Sequence, residues 1–235
     1  MTENPKLKGS NIVDCIPQTG NCPLECAECF YNGGRFYRTL DKPLMPTLEQ
    51  AYGKIVRVNS GHDSNINREL VIELTDKYKH KFYNTSVPNF KFPAPVVFTC
   101  NGRKLILAKE ELENLMFVRV RTSIFNLEEV DKAVDYYLVK HEIPVVLTFM
   151  RYYYSNKIPP EYRKYFEFKE HILNSYYCHT VETHLKILER YKGLGVRMCG
   201  TPVSSFCVDC RNCELLYWRW NNFHCHMSDG VLSFE

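Results

Sequence analysis

Residues 11–16, Asn-Ile-Val-Asp-Cys-Ile, followed by Cys22-Pro-Leu-Glu-Cys26-Ala-Glu-Cys29, form the stretch whose reading decides the fold. The short apolar run, rich in β-branched residues, predicts a strand. Pro17, Gly20 and Pro23 mark the segment after it as a loop rather than a helix. Three thiols on such a loop, spaced by four and three residues, can surround one face of a metal centre. Three ligands leave one position of a zinc, or one iron of a four-iron cluster, without a protein donor. An open position is where metal chemistry takes place.

Outward from this stretch, strand and helix patterns alternate. Strands are expected at residues 55–59, 96–100, 117–122, 145–150 and 196–199. Helices are expected at 49–54, after Pro46-Thr47, and at 67–81, 109–115, 127–141 and 181–192. Six strand–helix units imply parallel pairing with right-handed crossovers, either as an open sheet or as part of a barrel. Both gather functional groups at the carboxyl ends of the strands. Residues 151–177 stand apart, with nine Tyr or Phe and Pro159-Pro160, and read as a surface-packed insertion.

The chain of 235 residues is 45% apolar, enough for one large domain with a small appendage. A net charge of +3 gives no broad basic stripe for a polymer, so a small or nucleotide-like substrate is expected over nucleic acid. No apolar run spans a bilayer, and the start Met-Thr-Glu-Asn-Pro-Lys lacks an apolar signal core, so the expected compartment is the cytoplasm and no membrane is involved. Eleven cysteines in a reducing compartment point to metal rather than to disulfides.

With these residues in view, the chain resembles the radical S-adenosylmethionine enzymes. Cys22, Cys26 and Cys29 match that family's C-x3-C-x2-C loop after the first strand. The resemblance runs over residues 10–200 and includes Thr99-Cys100-Asn101-Gly102, similar to a Thr-Asn-Gly strand ending. It implies a partial (β/α)6 TIM-like barrel over residues 1–198. It also implies a 4Fe-4S cluster held by the three cysteines, with S-adenosylmethionine on its open iron. One electron, from a donor such as flavodoxin or ferredoxin, would cleave the cofactor to a 5′-deoxyadenosyl radical that abstracts hydrogen from a substrate. The chain departs from the family at Glu28, where an aromatic residue is usual, so Tyr31 is assigned to the adenine. The Gly-Gly-Glu segment that holds the amino group is represented by Ser60, Gly61 and Asp63. Asn101 completes the third-strand motif, Arg121 and Arg151 are candidates for the carboxylate, and Ser123 for the ribose.

A second group, Cys199, Cys207, Cys210 and Cys213, offers four thiols in a cysteine-rich extension, residues 199–235. Four ligands close a site, and the C-x2-C-x2-C run favours a second 4Fe-4S cluster over zinc. Cys15 and Cys100 read as buried small hydrophobes, and Cys178, His179 and His184 as residues without a special role. Two further readings are a metal-stabilised binding module without turnover and an activase that installs a radical on a partner protein.

Overall fold

The computed structural model describes residues 4–26, 41–101, 107–109, 111–170, 175–201 and 203–228. In chain order its strands are β1 Ile12–Cys15, β2 Ile55–Val58, β3 Lys81–Thr85, β4 Val96–Cys100, β5 Leu115–Thr122, β6 Val145–Phe149, β7 Phe166–Lys169, β8 Tyr176–His179 and β9 Arg197–Met198. Seven of them form one parallel sheet in the order β1-β2-β3-β4-β5-β6-β9, curled into a half-barrel. β7 and β8 pair antiparallel outside it, and the bridge Tyr152–Tyr177 ties that hairpin to the chain beyond β6.

The helices are α1 Leu48–Ala51, α2 Arg68–Thr75, α3 Leu127–Val134, α4 Val181–Arg190, α5 Cys207–Cys210 and α6 Asn212–Ser228. Thr47 starts α1 through a reciprocal capping box with Gln50. Thr180 starts α4 by accepting from the Thr183 amide. α3 runs on into a π-helical turn, Asp135–Lys140, which aims two tyrosines at one residue. Tyr137 Oη accepts from the Ala108 amide at 2.8 Å, and Tyr136 Oη donates to the Ala108 carbonyl at 2.8 Å.

Two expectations change. The sheet has a strand more than six, because β3 forms at Lys81–Thr85, just where the helix expected over 67–81 would end, and α2 itself stops at Thr75. No Gly or Pro separates the two elements; the Lys81 ammonium instead donates to the carbonyls of Asp76 and Tyr78, closing the turns after α2. All five β3 residues are buried, so cross-sheet packing outweighs local helical pattern. The expected helix over 109–115 is absent among the described residues there: 111–114 are irregular and Leu115 already belongs to β5. In the extension, Leu216 and Tyr217 are 2% exposed and belong to a cluster with Ile12, Ile55, Phe82, Val97, Phe117 and Val146.

Between β3 and β4 no helix forms among residues 86–95. Side-chain amides take over its role of satisfying backbone carbonyls. Asn65 Nδ2 donates to the Asn89 carbonyl at 3.0 Å, and Asn114 Nδ2 donates to Phe90 and Phe92 at 2.8 and 3.0 Å. Phe90 and Phe92 then fill the space a crossover helix would occupy.

Two apolar layers result from the alternation of side chains along each strand. Val13, Val56, Tyr83, Phe98, Val118 and Leu147 face the helices, meeting Val71 of α2, Val130 of α3 and Ile187 of α4. The opposite, concave face carries Ile12, Ile55, Phe82, Val97, Phe117 and Val146, covered by α6 and by Leu7. Two residues further along the strands, the same face turns polar.

Candidate functional site

One pleat beyond the apolar residues of their own strands, Asp14, Arg57, Asn84, Thr99, Arg119 and Thr148 share the concave face, with Asp14 and Arg57, and Thr99 and Arg119, paired in register. Arg57 Nε donates to Asp14 Oδ1 at 2.7 Å, in a pair that is 12% and 4% exposed. Arg119 Nη1 donates to Asn84 Oδ1 at 3.1 Å. Beyond them, toward the carboxyl ends of the strands, come Asn59, Asn101 and Arg121.

Ile16 leaves the sheet into the cysteine loop through a bridge to Leu44. That loop is docked on the loop after β2. Gln18 Nε2 donates to the carbonyls of Asp63 and Ile66 at 3.0 and 2.8 Å, and His62 bonds the backbone of Asn21. Asn59 turns the second loop with φ 56, a left-handed conformation that asparagine tolerates. Glu25 has φ 42 immediately before Cys26. A left-handed non-glycine residue is strained, and such strain concentrates at functional loops. Cys22 and Cys26 are both half-buried. Cys29 and Tyr31 lie outside the described residues.

Gln18 Oε1, Asn59 Oδ1 and Asn101 Oδ1, at the carboxyl ends of the strands, are buried acceptors without a hydrogen-bond partner among the described residues. Buried polar atoms are normally satisfied, so a run of unsatisfied carbonyl oxygens beside the cysteine loop fits a ligand that donates hydrogen bonds, as an ammonium does. Gln18 and Asn59 escape a sequence reading because their position depends on how two loops meet.

Asp63 is 3% exposed and both its carboxylate oxygens serve the fold. Oδ1 accepts from Thr85 Oγ1 at 2.7 Å and from the Asn65 amide at 2.9 Å, and Oδ2 accepts from the Ser86 amide at 2.6 Å. Burial nevertheless pushes its pKa up. Ser60 and Gly61 are half-buried in the same loop. Arg121 is 8% exposed, and its carbonyl accepts from Asn126 Nδ2. The Arg151 guanidinium lies 4.6 Å from the centre of the Tyr176 ring, on the side of the β7–β8 hairpin.

Ser123 is fully buried, with Oγ 3.2 Å from His179 Nε2, so its hydroxyl is engaged within the fold. His179 is 1% exposed, and Nε2 also accepts from the Ile124 amide at 3.2 Å, which leaves the neutral ring as the matching form. Burial, and after it His184, brings the His179 pKa down to about 3. The unfolded chain therefore binds a proton below about pH 6.5 that the folded chain refuses until about pH 3. Stability supplied by the neutral ring is complete above the unfolded value and is lost as pH falls through it. In urea melts between about pH 6 and 4, His179→Phe is expected to flatten the loss of stability by about 1.4 kcal/mol per pH unit. Parallel pH slopes for the two proteins would contradict this.

The second cysteine group reaches the concave face by a tight reversal after β9. Gly200 has φ +85, and a Cβ there would stand 2.7 Å from the Ser204 carbonyl oxygen. Only glycine fits without moving backbone. Asn212 Nδ2 then donates to the Met198 carbonyl at 2.6 Å, and Asn11 Nδ2 donates to Glu214 Oε1 at 2.7 Å. Gly200→Ala is expected to cost about 1–3 kcal/mol and to raise proteolytic cleavage within 199–213 more than elsewhere. Uniform cleavage would refute the local assignment.

Cys207 and Cys213 pack against the apolar floor, and Cys199 is exposed on the hollow side. The Cys210 thiol bonds Cys199, which with Arg119, Lys6 and Arg57 lowers the Cys199 pKa and raises that of Cys210. Burial raises Cys207, opposed by Arg57 and reinforced by Cys213 and Cys199. Arg119 Nη2 donates to Cys213 Sγ at 3.8 Å. Among the described residues no three Cys, His, Asp or Glu side chains stand in a finished ligating arrangement. Thiols are the donor type that iron and zinc take, and that donor chemistry, rather than the placement of the four sulfurs, is what a metal would use here. Arg57 is legible in the sequence as the charge of an otherwise apolar strand, and Arg119 as one of two in β5, with Arg121. Among the described residues no helix is long and apolar enough to cross a membrane. No protein-family model, curated protein or solved structure matches this chain.

Proposed function

We propose that this chain is a radical S-adenosylmethionine enzyme acting on a small-molecule or nucleotide-like substrate, with an external one-electron donor. The observation that carries the reading is the C-x3-C-x2-C loop leaving the first strand of a curled parallel sheet, beside three buried acceptors that lack a partner among the described residues. Cys22, Cys26 and Cys29 would hold a 4Fe-4S cluster, and Cys199, Cys207, Cys210 and Cys213 a second one. The first cluster with its cofactor supplies a one-electron route to a carbon-centred radical that removes hydrogen from substrate.

The chain's own residues bind and orient. The carbonyl oxygens of Gln18, Asn59 and Asn101 accept from the cofactor's amino group, the role that Asp63 cannot take while it braces the loop. The concave hollow is walled by the apolar floor and α6, which limits water and oxygen at the reacting centre. Arg121 lies on the same concave face as these acceptors and is the candidate for the carboxylate.

The test is anaerobic iron and sulfide analysis together with a 5′-deoxyadenosine assay under reduction. About eight irons per chain and production of 5′-deoxyadenosine are expected. A colourless protein with zinc and no cofactor cleavage would sink the reading. The structure offers one specific point for the second reading, a metal-stabilised binding module: the Asp63 carboxylate is wholly used within the fold.

A further inference from the structure

A guanidinium inside a sheet concavity is costly unless its charge and its N–H groups are met. The concave side of β2 and β5 carries three, Arg57, Arg119 and Arg121, while the parallel sheet offers one carboxylate, Asp14 of β1. Asp14 is taken up by Arg57 at 2.7 Å and by Asn4 Nδ2 at 2.9 Å. Among the described residues Arg119 forms no ion pair with a carboxylate. Its guanidinium is nevertheless held in place. It stands 5.5 Å from the centre of the Phe117 ring, and Nη1 donates to Asn84 Oδ1 at 3.1 Å. Asn84 is fixed in turn by donating Nδ2 to the Val58 carbonyl at 2.7 Å. Nη2 of Arg119 donates to Cys213 Sγ at 3.8 Å. A guanidinium carries five N–H groups, so three on Arg119 are left over for a ligand.

Two threonines flank this charge on the neighbouring strands. Thr99 of β4 is in register with Arg119, and Thr148 of β6 is in register with Arg121. Neighbouring strands lie about 4.8 Å apart, so these side chains share one patch across three strands. Other threonines of the sheet use their hydroxyls within the fold: Thr85 Oγ1 donates to Asp63 Oδ1, and Thr122 Oγ1 to the Val120 carbonyl. Thr148 Oγ1 is buried and has no hydrogen-bond partner among the described residues. A buried hydroxyl without a partner, on the same patch as a guanidinium whose charge no carboxylate meets, points to an absent acceptor that is an anion.

We propose that Arg119, Thr99 and Thr148 bind the phosphate group of a small phosphate-monoester substrate in the concave hollow. This deepens the reading of the chain as an enzyme for a small-molecule or nucleotide-like substrate, and rests on it for calling the bound anion a substrate. The donors come from three adjacent strands, so they reach an anion from more than one side. A phosphate has three terminal oxygens to receive them. The two coplanar oxygens of a carboxylate are filled by one guanidinium edge and leave the hydroxyls unmet. Arg121 stays with the cofactor's carboxylate, so the two anions do not compete for one side chain.

The test is equilibrium dialysis of radiolabelled inorganic phosphate against the anaerobically purified full chain, with acetate as competitor, and with and without S-adenosylmethionine. The parent is compared with Arg119→Gln and Thr148→Val. Arg119→Gln is expected to weaken phosphate binding at least about tenfold, and Thr148→Val about threefold to tenfold. Thr148→Val keeps the shape of the side chain and breaks no hydrogen bond among the described residues, so it decides the matter even where Arg119→Gln fails to fold. Acetate should compete poorly, and S-adenosylmethionine should leave phosphate bound. Phosphate binding that Thr148→Val leaves unchanged, acetate that competes as well as phosphate, or displacement of phosphate by S-adenosylmethionine each overturns the site. The 5′-deoxyadenosine assay separates the two readings. Cofactor cleavage by a chain that binds no phosphate overturns the phosphate site alone; phosphate binding through these residues without cleavage upholds the site and overturns the radical reading alone.

Discussion

Cys26→Ala is expected to abolish 5′-deoxyadenosine formation while the chain stays folded and keeps about half of its iron. Cys26 is the middle member of the C-x3-C-x2-C loop. Losing it leaves two thiols for a centre that needs three, so the first cluster is lost rather than weakened. Cys26 is only half-buried and follows the left-handed Glu25, outside the apolar layers, so its removal costs little stability. The second cysteine group lies on the concave side with Arg57 and Arg119, and its four thiols are untouched. Iron and sulfide analysis with the cleavage assay reads both effects. Residual cleavage near the parent rate, or complete loss of iron, would each contradict the assignment of two independent sites.

Asp14→Ala is expected to destabilise the fold by about 3–5 kcal/mol, because it strands the Arg57 guanidinium beneath the hollow. The pair is 4% and 12% exposed and sits on neighbouring strands in register, so water cannot fully replace the lost carboxylate. Asn4 loses its acceptor at the same time. At the size of this chain that loss lowers the melting temperature by roughly 10 °C. Replacing both partners, as Asp14→Leu with Arg57→Met, should cost much less, since no buried charge is then left alone. A thermal melt of the two variants decides it: equal losses would show that packing, not the uncompensated charge, is responsible.

Several parts of this architecture are legible along the chain. β1, β2, β4 and β6 are short β-branched runs bounded by Pro, Gly or Asn, and each local signal agrees with its place in the sheet. α3 and α4 are set by apolar residues at helical spacing, and α4 by a threonine cap. β3 is hidden because Lys-Phe-Tyr-Asn-Thr comes after α2 without punctuation and owes its extended form to burial between β2 and β4. The 86–95 connection is hidden for a related reason: Asn65 and Asn114 do the work of a helix from positions distant in sequence.

The candidate site divides in the same way. The spacing of Cys22, Cys26 and Cys29 on a Pro- and Gly-rich loop, and the four thiols of residues 199–213, are properties of the sequence alone, because ligand type and spacing are covalent facts. So are Arg57 in an otherwise apolar strand and the pair Arg119 and Arg121 in β5. Only the tertiary structure decides that Asp63 and Ser123 are occupied within the fold, and that Gln18, Asn59 and Asn101 present buried acceptors at the carboxyl ends of the strands. Only it decides that Arg119 reaches the Cys213 sulfur. The physical reason is that a curled parallel sheet sends alternate side chains of every strand into one concavity, so residues more than a hundred positions apart become neighbours through strand register.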